Sequence, residues 1–150
     1  MLKDNVKANG TLVVELRDEN GNVKQQFEKN LVVNTGLAYI ASRMKDATAN
    51  VMSHMAVGSG TVAAAAADTA LGSELGRVAL TSTSIVTTTA DNDSVQYVAT
   101  FEPGTGTGAV TEAAILNASS AGTMLSRTVF PVINKGVLDT LTITWKVTVA

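Results

Sequence analysis

The residue types able to do chemistry are few in this chain and widely spaced. One histidine, His54, could act as a metal ligand or a general base. With no cysteine and no second histidine beside it, neither a thiolate metal site nor a Ser-His-acid triad assembles around it, and it reads as structural. Glu15, Glu28, Glu74, Glu102 and Glu112 could pair in space as a glycoside hydrolase requires, but dispersed carboxylates on strands read as solvated faces. Asp18, Asn20 and Asn22 have the alternation of a calcium loop. Counted from Asp18, however, the sixth position is Val23 rather than Gly and the twelfth is Lys29 rather than Glu, so turn chemistry is the reading taken. Gly104, Gly106 and Gly108 form a glycine run, yet a phosphate cradle needs a helix after it and usually a Lys-Ser/Thr pair. A strand is predicted next and no lysine is near, so the run reads as a hairpin tip. The sequence therefore predicts no enzyme, with no catalytic, cofactor-binding or metal-ligating residues.

The elements that carry these residues are mostly strands. Over 139–150, Leu141, Ile143, Trp145, Val147 and Val149 alternate with Thr140, Thr142, Thr144, Lys146 and Thr148, which places an apolar row and a polar row on opposite faces. Trp145, the only tryptophan, sits in the middle of the apolar row, and this segment predicts a long core strand. Residues 11–16 and 23–27 predict a hairpin around Asn20-Gly21, with a short apolar segment following at 30–34. A helix is predicted over 36–45, capped by Asn34 or Thr35, with Leu37, Ile40, Ala41 and Met44 as its apolar stripe. A strand over 52–57 follows. The alanine-rich run 62–67 predicts a linker or a flat segment lying on a neighbour, and Asp68 a cap on a short turn in which Leu71 and Leu75 share a face. From Arg77 onward strands are predicted over 77–90, 94–101, 110–118 and 123–130, the last interrupted by Pro131, with a turn at Asn134-Lys135-Gly136.

At 150 residues the chain predicts one domain, 1–150, able to bury a core. Charged residues make up only 16% of it, below the roughly one quarter usual for a free-standing domain. Part of the surface is therefore expected to meet protein rather than water. A net charge of −2 with 11 Lys+Arg spread thinly argues against nucleic acid, which needs a clustered basic face. Residues 1–10 are not read as a signal peptide, and no stretch is long and apolar enough to span a membrane.

Several runs then stand out together. They are Met55-Ala56-Val57-Gly58-Ser59-Gly60-Thr61; Asp68-Thr69-Ala70-Leu71-Gly72-Ser73-Glu74-Leu75-Gly76-Arg77; Thr111-Glu112-Ala113-Ala114-Ile115-Leu116-Asn117-Ala118; Ser126-Arg127-Thr128-Val129-Phe130-Pro131-Val132-Ile133-Asn134-Lys135-Gly136; and Asp139-Thr140-Leu141-Thr142-Ile143-Thr144-Trp145. In this order they resemble a family of small virion structural proteins of tailed bacteriophages, described as capsid-decorating, head-fibre or tail-fibre-like. The resemblance spans about two thirds of the chain and implies no catalytic residues. Together with the strand pattern, the expectation is an all-β fold: an antiparallel β-sandwich of jelly-roll type, about eight strands in two sheets, with one short α-helix.

The function expected from the resemblance is a capsid decoration (cement) protein. It would be made in the host cytoplasm, bind the outer surface of the icosahedral head in the virion and bridge copies of the major capsid protein. A homo-oligomer, dimer or trimer, is expected, with no membrane or nucleic-acid partner. The alternatives are a tail-fibre or baseplate subunit bound to a tail component, and a carbohydrate-binding β-sandwich. Against the last, Trp145, Tyr97 and Phe101 are all assigned to core-facing rows rather than to an exposed glycan platform.

Overall fold

The structure, a computed structural model, describes residues 5–150; of the N-terminal segment read as lacking a signal peptide, residues 1–4 lie outside the described residues. Nine antiparallel strands and one helix follow in the order β1 (Ala8–Arg17), β2 (Val23–Val32), α1 (Asn34–Arg43), β3 (His54–Gly58), β4 (Glu74–Ala79), β5 (Ser82–Val86), β6 (Ser94–Phe101), β7 (Gly108–Leu116), β8 (Met124–Lys135) and β9 (Thr140–Val149). The all-β class and the single helix are as expected. Instead of about eight strands in two sheets, there is one continuous ladder of nine, ordered β4-β3-β7-β8-β2-β1-β9-β6-β5. The reason is the length of β2. It pairs with β1 from Val23 to Asn30, then passes over to β8 through Leu31 and Val32, joining what would otherwise be separate sheets.

The ladder curls, and its two end strands are neighbours in the chain. The strand predicted over 77–90 is bent after Ala79: Leu80 N donates to Ser53 O (2.9 Å) beside β3, while Thr81 N donates to Val98 O (2.7 Å) on β6. One chain segment therefore leaves one half of the curl and enters the other. β9 lies between β1 and β6 with Trp145 opposite both Leu12 and Tyr97. Leu141, Ile143, Trp145 and Val147 are buried with Leu12, Val14, Phe101, Met55, Val57, Ala113 and Ile115 in the main core. The alternation fails at the end of β9, where Thr148 is buried and Val149 exposed. Thr148 tolerates burial because its hydroxyl bonds that of Ser94 at 2.8 Å.

Local chemistry displaces several other expectations. The β1–β2 connection is a five-residue loop rather than a two-residue Asn-Gly turn: the Asp18 carboxylate accepts from the backbone of Asn20 (2.9 Å) and Asn22 (2.8 Å), and only Gly21 takes positive φ. The helix starts at Asn34 with Val33 at its N-cap and no side-chain cap, because the Thr35 hydroxyl donates instead to Met124 O (2.7 Å) on β8. Three of the four residues of its expected stripe are turned outward. Leu37, Ala41 and Met44 are exposed, and the packed side is Gly36, Tyr39, Ile40 and Arg43, since Gly36 lets the helix backbone approach Leu125 O of β8. Pro131 does not end β8, which runs to Lys135; the proline sits on the edge away from β7, where a missing N–H breaks no ladder bond. Lys135 is thereby inside the strand and buried, its ammonium donating to Glu102 O (3.1 Å), and the last turn shifts to Gly136–Asp139.

Candidate functional site

The densest polar arrangement lies on the outer face of β3, β7 and β8, where the segment 59–73 arches over the sheet. Glu112 stands on β7 between Gly58 of β3 and Val129 of β8, with no solvent exposure. One carboxylate oxygen, Oε1, accepts from the backbone N–H of Gly60 (2.8 Å) and Ser73 (2.8 Å). The other, Oε2, accepts from Gly72 N (3.0 Å) and from Nε (3.1 Å) and Nη2 (2.8 Å) of Arg127 on β8. Arg127 also donates to Val62 O (3.0 Å) and to Asp68 Oδ2 (2.7 Å), and Asp68 in turn accepts from Ala65 N (2.8 Å). Thr111 adds a bond from its hydroxyl to Gly60 O (2.8 Å). Both ends of the arch are thus fastened to one carboxylate, and its middle to the guanidinium.

Chain geometry makes this possible. A Cβ at Gly60 or Gly58 would lie 2.5 Å from Glu112 Oε1, so these positions must be glycine for the backbone to reach the carboxylate. Asp68, expected to cap a turn with Leu71 and Leu75 on one face, closes the preceding turn instead. Leu71 packs into a small cluster with Val33, Ala56, Ala114, Leu116 and Met124 under the arch, and Leu75 belongs to β4. Next to it, Arg77 forms paired bonds to Glu74 (3.0 and 2.8 Å) and donates to Ala118 O (3.0 Å) and Ala121 O (2.9 Å), holding the β7–β8 turn.

Burial by itself raises the Glu112 pKa, but the N–H groups of Gly72 and Ser73, the Arg127 guanidinium and the Gly60 N–H outweigh it, and the net direction is down. Asp68 is also lowered, chiefly by the Ala65 N–H. Arg127 would lose its proton more easily through burial, yet Glu112 and Asp68 reverse this and hold it charged. A depressed carboxylate pKa stabilises the fold above the unfolded value and ceases to do so as pH falls through the folded one. The unfolding midpoint is therefore expected to be level from neutrality down to about pH 5, and to fall as pH drops below the ordinary values of 4.5 for Glu112 and 3.8 for Asp68. Thermal melts across pH 3–7 check this, and a midpoint that rises on acidification contradicts the assignment.

The arrangement is mechanical rather than reactive. Every Glu112 oxygen is occupied by fixed donors, so it has no lone pair to offer a substrate. The remaining sequence candidates are scattered. Glu15 bonds Arg17 and Gln25, Glu28 bonds Gln26, and Glu74 bonds Arg77. His54 is half-buried on β3 with Nδ1 at 2.8 Å from Ser53 Oγ. Gly104 and Gly106 in the β6–β7 turn and Gly108 at the start of β7 all take positive φ, and Gly106 packs on Val57 and Phe101 instead of opening a cradle. Among the described residues no group of three or more His, Cys, Asp or Glu could hold a metal, and no helix is long and apolar enough to cross a membrane.

A cleft of about 440 Å³ lies where α1 meets the ends of β6 and β9, lined by Tyr39, Ile40, Arg43, Asp93, Tyr97 and Val147 among others. Its charged groups are already engaged. Arg43 lies over the Tyr39 ring at 4.5 Å and donates to Ala49 O (3.0 Å), while Asp93 accepts from the backbone of Thr88, Thr89 and Ala90. Trp145, Tyr97 and Phe101 are buried, as their rows implied.

Sequence reasoning did not foresee that Glu112, Arg127 and Asp68 meet. The available signal was a lone acid inside Thr111-Glu112-Ala113-Ala114-Ile115-Leu116 and a lone base inside Ser126-Arg127-Thr128-Val129-Phe130: charges within runs too apolar to face water need each other. Comparison with known proteins adds no likeness: no family model, no curated protein and no solved structure matches the chain.

Proposed function

We propose that this protein is a bacteriophage capsid decoration protein that binds the outer surface of the icosahedral head as a homo-oligomer and bridges neighbouring subunits of the major capsid protein. The observation that carries the reading is where the resembling segments meet. Gly58 and Gly60, Asp68 and Gly72, Glu112, and Arg127 come from four of those runs and converge on one buried knot. In this chain the resembling runs thus have a structural reason to occur together, which supports reading them as one set rather than as separate short matches. The surface agrees with a life spent against protein, since Phe27, Met44, Val62, Val137 and Leu138 are exposed on a chain with few charges. Many weak apolar contacts engaged together would give the avidity a cement needs.

The jelly-roll sandwich belongs to the same proposal. The curled ladder has two places, β2 and the β4–β5 bend, where one chain segment serves both halves. On this reading, splitting it there would give two sheets facing across the Trp145 core. The reading calls for no catalysis and no cofactor.

Gold-antibody labelling of intact virions in the electron microscope tests it. Label in many copies over the head is the expected result. Label confined to the tail would replace this reading with a tail-fibre or baseplate subunit, and label on neither would remove the virion from the account.

A further inference from the structure

The curl is open along one side. β2 is paired to β8 by backbone only at Leu31 and Val32; beyond them only side chains reach across, Thr128 Oγ1 to Lys29 O and Gln26 Nε2 to Pro131 O (3.0 Å), and over residues 23–29 no other strand among the described residues pairs with its edge away from β1. The direction of that edge is fixed by one bond: Thr128 Oγ1 donates to Lys29 O (2.9 Å), so the backbone groups of Lys29 face away from β1. Strand geometry then places those of Phe27, Gln25 and Val23 on the same free side. Phe27 is 75% exposed beside them, with only Val13 opposite it on β1. Unpaired backbone beside an exposed aromatic is a template for another strand.

We propose that this edge pairs with the same edge of a second copy of the chain, antiparallel, about a two-fold axis passing beside Gln26. The order Val23-Lys24-Gln25-Gln26-Phe27-Glu28-Lys29 selects that occupant and that register. Centred on Gln26, the pairing sets Lys24 opposite Glu28 of the second copy and, by symmetry, Glu28 opposite the other Lys24. Gln25 and Phe27 then exchange backbone bonds across the axis, and both are residues whose N–H and C=O face the free side. The two Phe27 rings come to lie diagonally on one face, within aromatic reach. A slip of one residue would set Lys24 against Lys29 and turn the bonding groups of one strand away, so the register is specified twice. An isologous contact of this kind closes after two copies and leaves no edge to propagate.

Pairing does not rest on the virion reading, and it is measured on the purified chain alone, so the two can fail separately. Sedimentation velocity over a range of concentrations is expected to show a species of twice the 15.5 kDa chain mass. Lys24→Glu and Glu28→Lys are each expected to weaken association by about tenfold or more, because each places like charges opposite one another twice per dimer. The double variant K24E/E28K restores opposite charges and is expected to recover the dimer, which a merely structural role for either residue would not produce. Gln25→Pro removes an N–H from the free edge while sparing the bonds to β1, and is expected to leave monomer with an unchanged far-ultraviolet circular dichroism spectrum. A chain that is monomeric at every concentration overturns the proposal. So does an oligomer that survives both K24E and Q25P, or a double variant no better than its parents.

Discussion

Glu112→Ala is expected to remove about 3–5 kcal/mol of folding stability, which is a large fraction of what a domain of this size has to spare. The magnitude follows from what the carboxylate holds. Three backbone N–H groups of the arch, those of Gly60, Gly72 and Ser73, lose their acceptor, and each is poorly placed to find water under the arch. Arg127 keeps Asp68, so the guanidinium is not left wholly unpaired. The reverse deletion should be milder. In Arg127→Met the carboxylate still accepts three N–H bonds, and Asp68, which is partly exposed, can turn to solvent; about 2 kcal/mol is expected. Urea titration separates the two, since a loss near 4 kcal/mol moves the midpoint by roughly 2 M at the slopes usual for small domains. Hydrogen exchange adds the location. In Glu112→Ala the amides of Gly60, Gly72 and Ser73 should exchange early while those of β9 stay protected. An Arg127→Met variant that loses more than Glu112→Ala would show that the cation, not the backbone bonding, dominates the knot.

That asymmetry also marks the boundary of what the sequence discloses. The β9 row and the β6 row could be read directly, because period-two alternation is a local property and Leu141, Ile143, Trp145, Tyr97 and Phe101 obey it. The helix was found within two residues, yet its buried side was misjudged. Leu37, Ile40, Ala41 and Met44 make a plausible stripe, and nothing local says that Gly36 will be pressed against Leu125 O and turn all of it but Ile40 outward. Pro131 misled for a related reason, since whether a proline breaks a strand depends on which edge is unpaired, a property of the whole sheet. The arch is the extreme case. Residues 59–73 have almost no regular structure of their own, and their path is set by acceptors and donors 39 to 65 positions away in the chain. Alanine and glycine carry little side-chain information, so the run 62–67 reads only as a linker or a flat segment lying on a neighbour; it is largely exposed, and the Arg127 and Asp68 bonds that hold it are not legible in it. In the proposed cement reading this matters, because the arch places Val62, which is exposed, on the outer surface and holds it there.

Trp145→Ala is the second large effect, at about 3–5 kcal/mol, and its partner Trp145→Phe should fall within about 1 kcal/mol of the parent protein. Trp145 is completely buried at the centre of β9, flanked by Leu12 on β1 and Tyr97 on β6, so truncation empties the middle of the core where two strands lean on it. Phenylalanine keeps most of that contact. It also deletes the indole N–H, which has no hydrogen-bond partner and is buried at a cost of about 1–3 kcal/mol. The two terms oppose each other in Trp145→Phe: lost ring volume destabilises, and the removed orphan donor stabilises. In Trp145→Ala the first term grows several-fold and the second is unchanged, so the gap between the variants measures packing alone. Urea unfolding followed by far-ultraviolet circular dichroism reads both without depending on tryptophan fluorescence. Equal losses in the two variants would mean that the N–H carries no penalty and that the indole shape itself is what the core requires. Near-parental stability in Trp145→Phe would instead place the strength of this sheet in the apolar row of β9, and leave the indole nitrogen as a cost the fold carries there.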